Sequence, residues 1–156
     1  MNKEKDLNEL ELLYEEAHNN YDDSVQKINK IHYKYVEEFE KSMIQEKLSK
    51  KAIRMHRSNA YYLCDYLTYY LMNNIFTSYS SMDDFIGYFY IHKTIPISLT
   101  GLNELCSSMN KFFKFMYANN YINEEECYIA LQSIKENKLA WKEELIEYLS
   151  DEDYFF

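Results

Sequence analysis

The residues able to do chemistry are few, and their spacing points to binding rather than catalysis. Glu15-Glu16-Ala17-His18 contains one Glu-x-x-His, the spacing by which di-iron helical bundles hold metal. Such sites need a second copy of the motif and two further carboxylates, and none of His32, His56 or His92 has a glutamate three residues earlier. Two glycines cannot build a phosphate-cradling loop. Cys64, Cys106 and Cys127 form no Cys-x-x-Cys pair and read as buried free thiols. Helical carboxylate pairs read as solvated faces, because nothing nearby in the sequence would bury them and shift their titration. The chain is therefore expected to be no enzyme and to need no metal or cofactor. Cations are another matter. Lys47, Lys50, Lys51, Arg54, Arg57, Lys111 and Lys114 form a candidate basic face for nucleic acid or a protein partner. Lys50, Arg54 and Arg57 fall at i, i+4 and i+7, one side of a helix, where they could neutralise phosphates or carboxylates.

Charge zoning weighs against nucleic acid. Residues 1–46 carry 6 Lys/Arg against 12 Asp/Glu, residues 47–119 carry 8 against 4, and residues 120–156 carry 3 against 10. The basic centre lies between two acidic flanks, and the net charge is −9. A polyanion-binding domain ordinarily shows a basic footprint overall. A solvated basic face, paired with the chain's own acids, accounts for the same residues.

The elements that must position these groups are helices. Two glycines and one proline in 156 residues leave too few turn formers for a β fold, so the fold class is all-α, with five to six helices. A long N-terminal helix, or a kinked pair, spans 3–46. Its seam of Leu7, Leu10, Tyr14, Ala17, Tyr21, Val25, Ile28, His32, Tyr35 and Phe39 steps by three and four, with a stutter between Tyr21 and Val25 beside the poor helix formers His18 to Asp23. This amphipathic face could pack on its own domain. It could equally pair with a partner, and Leu7, Leu10, Tyr14, Tyr21, Val25, Ile28, His32 and Tyr35 are the candidate association seam. Its polar-tipped rings favour sites that are dry at one end and wet at the other.

Ser49 caps a helix over about 50–74, with Ile53, His56, Ala60, Leu63, Leu67 and Leu71 inward. Ser81 and Asp84 suggest a capping box opening a helix at 82–92. Ser98 caps 99–119, with Leu102, Leu105, Met109, Phe112 and Met116 inward. Asn123 and Glu126 suggest a further capping box, for a helix that bends near Asn137. The organisation reads as a helical arm at 1–46, a core at 47–122, an acidic helix or helix pair at 123–150 and a tail at 151–156, one compact domain overall.

Two segments resemble the N-terminal core-binding, SAM-like domain of tyrosine recombinases and phage integrases. One runs from Leu48-Ser49-Lys50-Lys51-Ala52-Ile53-Arg54 to Asn59 and on to Leu63 and Leu67. The other spans Ser98 to Ile122 and includes Lys111-Phe112-Phe113-Lys114-Phe115. A further resemblance is to a group of small bacterial helical proteins, some joined to a SEC-C zinc motif, through Phe89 to Thr94, Phe112-Phe113, Ile134-Lys135-Glu136 and Trp141. The recombinase resemblance implies an integrase-like helical centre on which the N-terminal helices pack. It implies DNA binding at most, since the Arg, His-x-x-Arg and Tyr set that cuts DNA is missing.

The expected function is a non-catalytic protein-interaction module that self-associates or binds a protein partner. The alternatives are a DNA-binding accessory protein and a small acidic inhibitor from a mobile element. No stretch approaches 18 uninterrupted apolar residues, so no membrane span is expected. The charged N-terminus lacks a signal-peptide run, and a cytoplasmic location is the expectation.

Overall fold

A computed structural model describes residues 2–153. It holds six helices and no strand among the described residues. The chain divides into two compact units, Met1–Ser78 and Tyr79–Phe156. Residues 46 and 122 lie at turns inside these units, where the helices on either side of each turn pack on one another.

In the first unit, α1 (Lys3–Glu16) and α2 (Tyr21–Gln45) are separate helices. The break falls just before the stutter, where His18, Asn19 and Asn20 favour a turn. Helix α3 (Lys50–Asp65) runs without interruption into a π-helical stretch, Tyr66–Leu71. Ser49 caps α3, its Oγ accepting from Ala52 N at 3.1 Å. The three helices stand antiparallel in sequence: Asp6 meets Lys34 and Tyr35, Asn29 meets Asp65, and Glu40 meets Arg57. His56, Ala60, Leu63 and Leu67 are buried as the period requires, whereas Ile53 is half-buried and Leu71 is 37% exposed. The wide π turn rotates the end of the helix, burying Tyr66 and Thr68 and turning Leu71 outward.

In the second unit, α4 occupies 82–93 as Met82–Asp84, a π-helical Phe85–Tyr90 and Ile91–Lys93. Helices α5 (Leu99–Ala118) and α6 (Glu124–Asp153) pack along each other and on α4. Ser98 caps α5, accepting from Gly101 N at 2.9 Å. Leu102, Leu105, Met109, Phe112 and Met116 all face inward and are buried. The Asn123–Glu126 capping box closes in both directions, at 2.9 and 2.8 Å. Ser81 makes no side-chain capping bond. Asn137 does not interrupt α6: its Nδ2 donates to Ser133 O at 2.8 Å, and the helix continues unbroken for 30 residues. Asp83 is drawn to Trp141, whose Nε1–H donates to it at 2.9 Å. Gly87 lets α4 approach the same indole, since a Cβ there would collide with the Trp141 ring. Of the segment expected as a tail, 151–153 belongs to α6 and 154–156 lies outside the described residues.

Candidate interaction surfaces

Five of the seven candidate cations line two grooves, one in each unit. In the first unit, the turn between α2 and α3 forms a groove of about 550 Å3 lined by Glu40, Ile44, Leu48, Lys50, Ile53, Arg54 and Arg57. That size suits a ligand or peptide side chains, roughly 300–1,000 Å3. Ile44 is 56% exposed, and Leu48 and Ile53 are half-buried, so the floor is apolar and open. Arg57 Nη1 donates to Glu40 Oε1 at 2.8 Å and neutralises one wall. Lys50 and Arg54 are exposed and make no hydrogen bond or ion pair with any described residue. Lys47 and Lys51 are exposed but do not line the groove. Lys47 adopts φ 61, the left-handed conformation that ends α2 and sets the angle at which α3 departs.

In the second unit, Lys111 and Lys114 of α5 meet Lys138 of α6, with Ser107 and Asn110, around a groove of about 480 Å3. Lys138 was absent from the expected face because it is distant in sequence; only the packing of α5 on α6 brings it there. This groove has no aliphatic or aromatic side chain in its lining.

The association seam is placed differently from expectation. Leu10, Val25, Ile28, His32 and Tyr35 are buried within the chain, Leu7 and Tyr14 are half-buried, and Tyr21 is exposed. Two of the polar side chains that suggested an interface, Tyr35 and His32, find internal partners. Tyr35 OH donates to Asp6 Oδ2 at 2.6 Å, and Asp6 also accepts from Lys34 Nζ at 2.8 Å. Thr68 Oγ1 donates to Asn29 Oδ1 at 3.0 Å, so its contact with His32 Nδ1 at 3.1 Å assigns the imidazole proton to Nδ1. Asn29 Nδ2 and Tyr33 OH then converge on Asp65 Oδ1 at 2.9 and 2.8 Å. The seam is a core face, and a surface for a partner has to be sought elsewhere.

The buried groups are poor reactants. Burial lowers the His32 imidazole to about 3, keeping it neutral. Burial pushes the Cys64 thiol well above its ordinary value, the Cys106 thiol up to about 11 and the Cys127 thiol upward, so the nucleophilic thiolate is suppressed. Tyr14 is raised by burial; Tyr33 is raised by burial first and by its bond to Asp65 second. Glu15, Glu16 and His18 are exposed, and no group of three His, Cys, Asp or Glu is arranged to hold a metal among the described residues. No described helix is long and apolar enough to cross a membrane.

Comparison with known proteins finds no matching family model, no matching curated protein and no matching solved structure.

Proposed function

We propose that the chain is a non-catalytic protein-interaction module that self-associates, and that the groove between α2 and α3 is its docking site. One observation carries this reading: the apolar floor of Ile44, Leu48 and Ile53 lies open beside two cations, Lys50 and Arg54, that the described chain leaves unpaired. Apolar surface with a charged rim is the anatomy of an interface, and the unpaired cations select an acidic partner. The test is size-exclusion chromatography with light scattering at about 100 µM, on the wild type and on Ile44→Glu. The wild type is expected to elute above monomer mass and the variant to shift towards it. A monomeric wild type overturns the reading.

A second reading, a DNA-binding accessory protein, is favoured by the all-polar lysine groove of Lys111, Lys114 and Lys138 and by the resemblance to recombinase core-binding domains. Against it stands the net charge of −9. Sub-micromolar affinity for duplex DNA at 150 mM salt, lost on reversing Lys111 and Lys114, would install this reading in place of the first.

A further inference from the structure

We propose that the occupant of the α2–α3 groove is the acidic–aromatic segment Asp151-Glu152-Asp153-Tyr154-Phe155-Phe156 of a second copy of this chain. The proposal rests on the self-association reading and names the partner segment for that same site.

The match is chemical. The groove offers Lys50 and Arg54 without side-chain partners among the described residues, over a floor of Ile44, Leu48 and Ile53, while Arg57 is already held by Glu40. The segment supplies three consecutive acids followed by three consecutive aromatic rings. Opposite charges at the rim would fix the direction of docking, and the rings would cover the open floor. Two other acid–aromatic runs in the chain are already engaged. Glu37-Glu38-Phe39 buries Phe39 and pairs Glu38 with Lys41. Asp83-Asp84-Phe85 buries Phe85 and gives Asp83 to the Trp141 indole. The acidic run Glu124-Glu125-Glu126 opens α6, with Glu126 closing the capping box.

In a two-fold dimer each copy would contribute one groove and one segment. An aromatic side chain buries roughly 150–250 Å2. Three rings seated in each of two grooves therefore approach a standard interface of about 1,200–2,000 Å2. Because charge guides the docking, the dimer should weaken as salt rises.

The experiment uses full-length chains with reversed charges. One variant carries Lys50→Glu and Arg54→Glu; the other carries Asp151→Lys, Glu152→Lys and Asp153→Lys. A third carries Tyr154→Ser, Phe155→Ser and Phe156→Ser. Each is checked for native helicity by circular dichroism and then weighed by light scattering and sedimentation. Each variant alone should dimerise at least tenfold more weakly than the wild type. An equimolar mixture of the two charge-reversed variants should recover a mixed dimer, because both interfaces in it again pair opposite charges. If the variants dimerise as tightly as the wild type, the segment is not the occupant and self-association stands on another surface. If the singles are monomeric but the mixture stays monomeric, the proposed pairing is overturned. If the wild type is itself monomeric at about 100 µM, this proposal and the reading beneath it both fall.

Discussion

The two units solve the problem of an interior in opposite ways. The first buries Asp6, Ser24, Asn29, His32, His56, Thr68 and Ser78 among its apolar residues, whereas among the described residues of the second Ser108 is the one fully buried polar residue, beside the enclosed Oδ1 of Asn103. In the second, Phe112, Phe113 and Phe115 lie ring against ring, and the Trp141 indole closes over Gly87. In the first, the relay from His32 through Thr68 and Asn29 to Asp65 runs through the α2–α3 interface. It also leaves Tyr14 Oη, Ser24 Oγ and His32 Nε2 buried without a hydrogen-bond partner. A polar interior fixes register and partner choice, since each group is costly unless its own partner is present. An apolar interior gains from area and shape and tolerates changes of pH. The first unit should therefore be the selective, condition-sensitive part of the molecule, and the second the robust part.

The sharpest blow to the apolar unit is Phe112→Ala, which should cost about 3–5 kcal/mol because the ring is fully enclosed. Denaturant titration followed by the single tryptophan, Trp141, reads the second unit directly. A loss below about 1 kcal/mol would mean that the packing of α5 does not depend on that ring. Asp6→Ala is the corresponding blow to the polar unit. It removes the acceptor of Tyr35 OH and Lys34 Nζ and should cost about 1.5–3 kcal/mol, the range for hydrogen bonds to a charged group. Denaturant titration monitored by far-ultraviolet circular dichroism measures it, and a neutral outcome would show that the buried carboxylate is dispensable.

Acid should separate the units further. His32 titrates at about 3 in the folded chain, against an ordinary 6.5. The unfolded chain therefore takes up the proton first, and stability falls as pH drops from about 6.5 towards 3, by about 1.4 kcal/mol per unit. By pH 5 the first unit should have lost about 2 kcal/mol. His32→Leu should flatten that slope, as read by amide hydrogen exchange within α2 and α3, while Trp141 emission stays unchanged between pH 6.5 and 5. Equal slopes for wild type and variant would break the comparison. The smallest effect is Asn123→Ala, which removes the cap of α6 and should cost about 1 kcal/mol, insensitive to pH over the same window.

Much of the local structure was legible in the residues. Ser49, Ser98 and Asn123 act as caps because a side-chain oxygen beside a helix start needs only its own neighbours. The inward set of α5 follows from one uninterrupted period. The seam of α1 and α2 was legible as an apolar face, but its function was not. Tyr35 and His32 looked too polar for a core until Asp6, a turn and a helix away, and Thr68, on a third helix, supplied their partners. The widening at Tyr66–Leu71 and the continuity of α6 through Asn137 were likewise hidden, since both are settled by what packs alongside.

The sequence by itself determined the helical class, most helix starts and the inward stripe of α5, because those depend on interactions three or four residues apart. Only the tertiary structure decided which cations share a groove. Lys50 and Arg54 acquired their apolar floor from Ile44 across a turn, and Lys111 and Lys114 acquired Lys138 from another helix. Helical periodicity says which way a side chain points, but the neighbour it meets depends on how separate helices pair, and that is set by burying all their apolar faces at once.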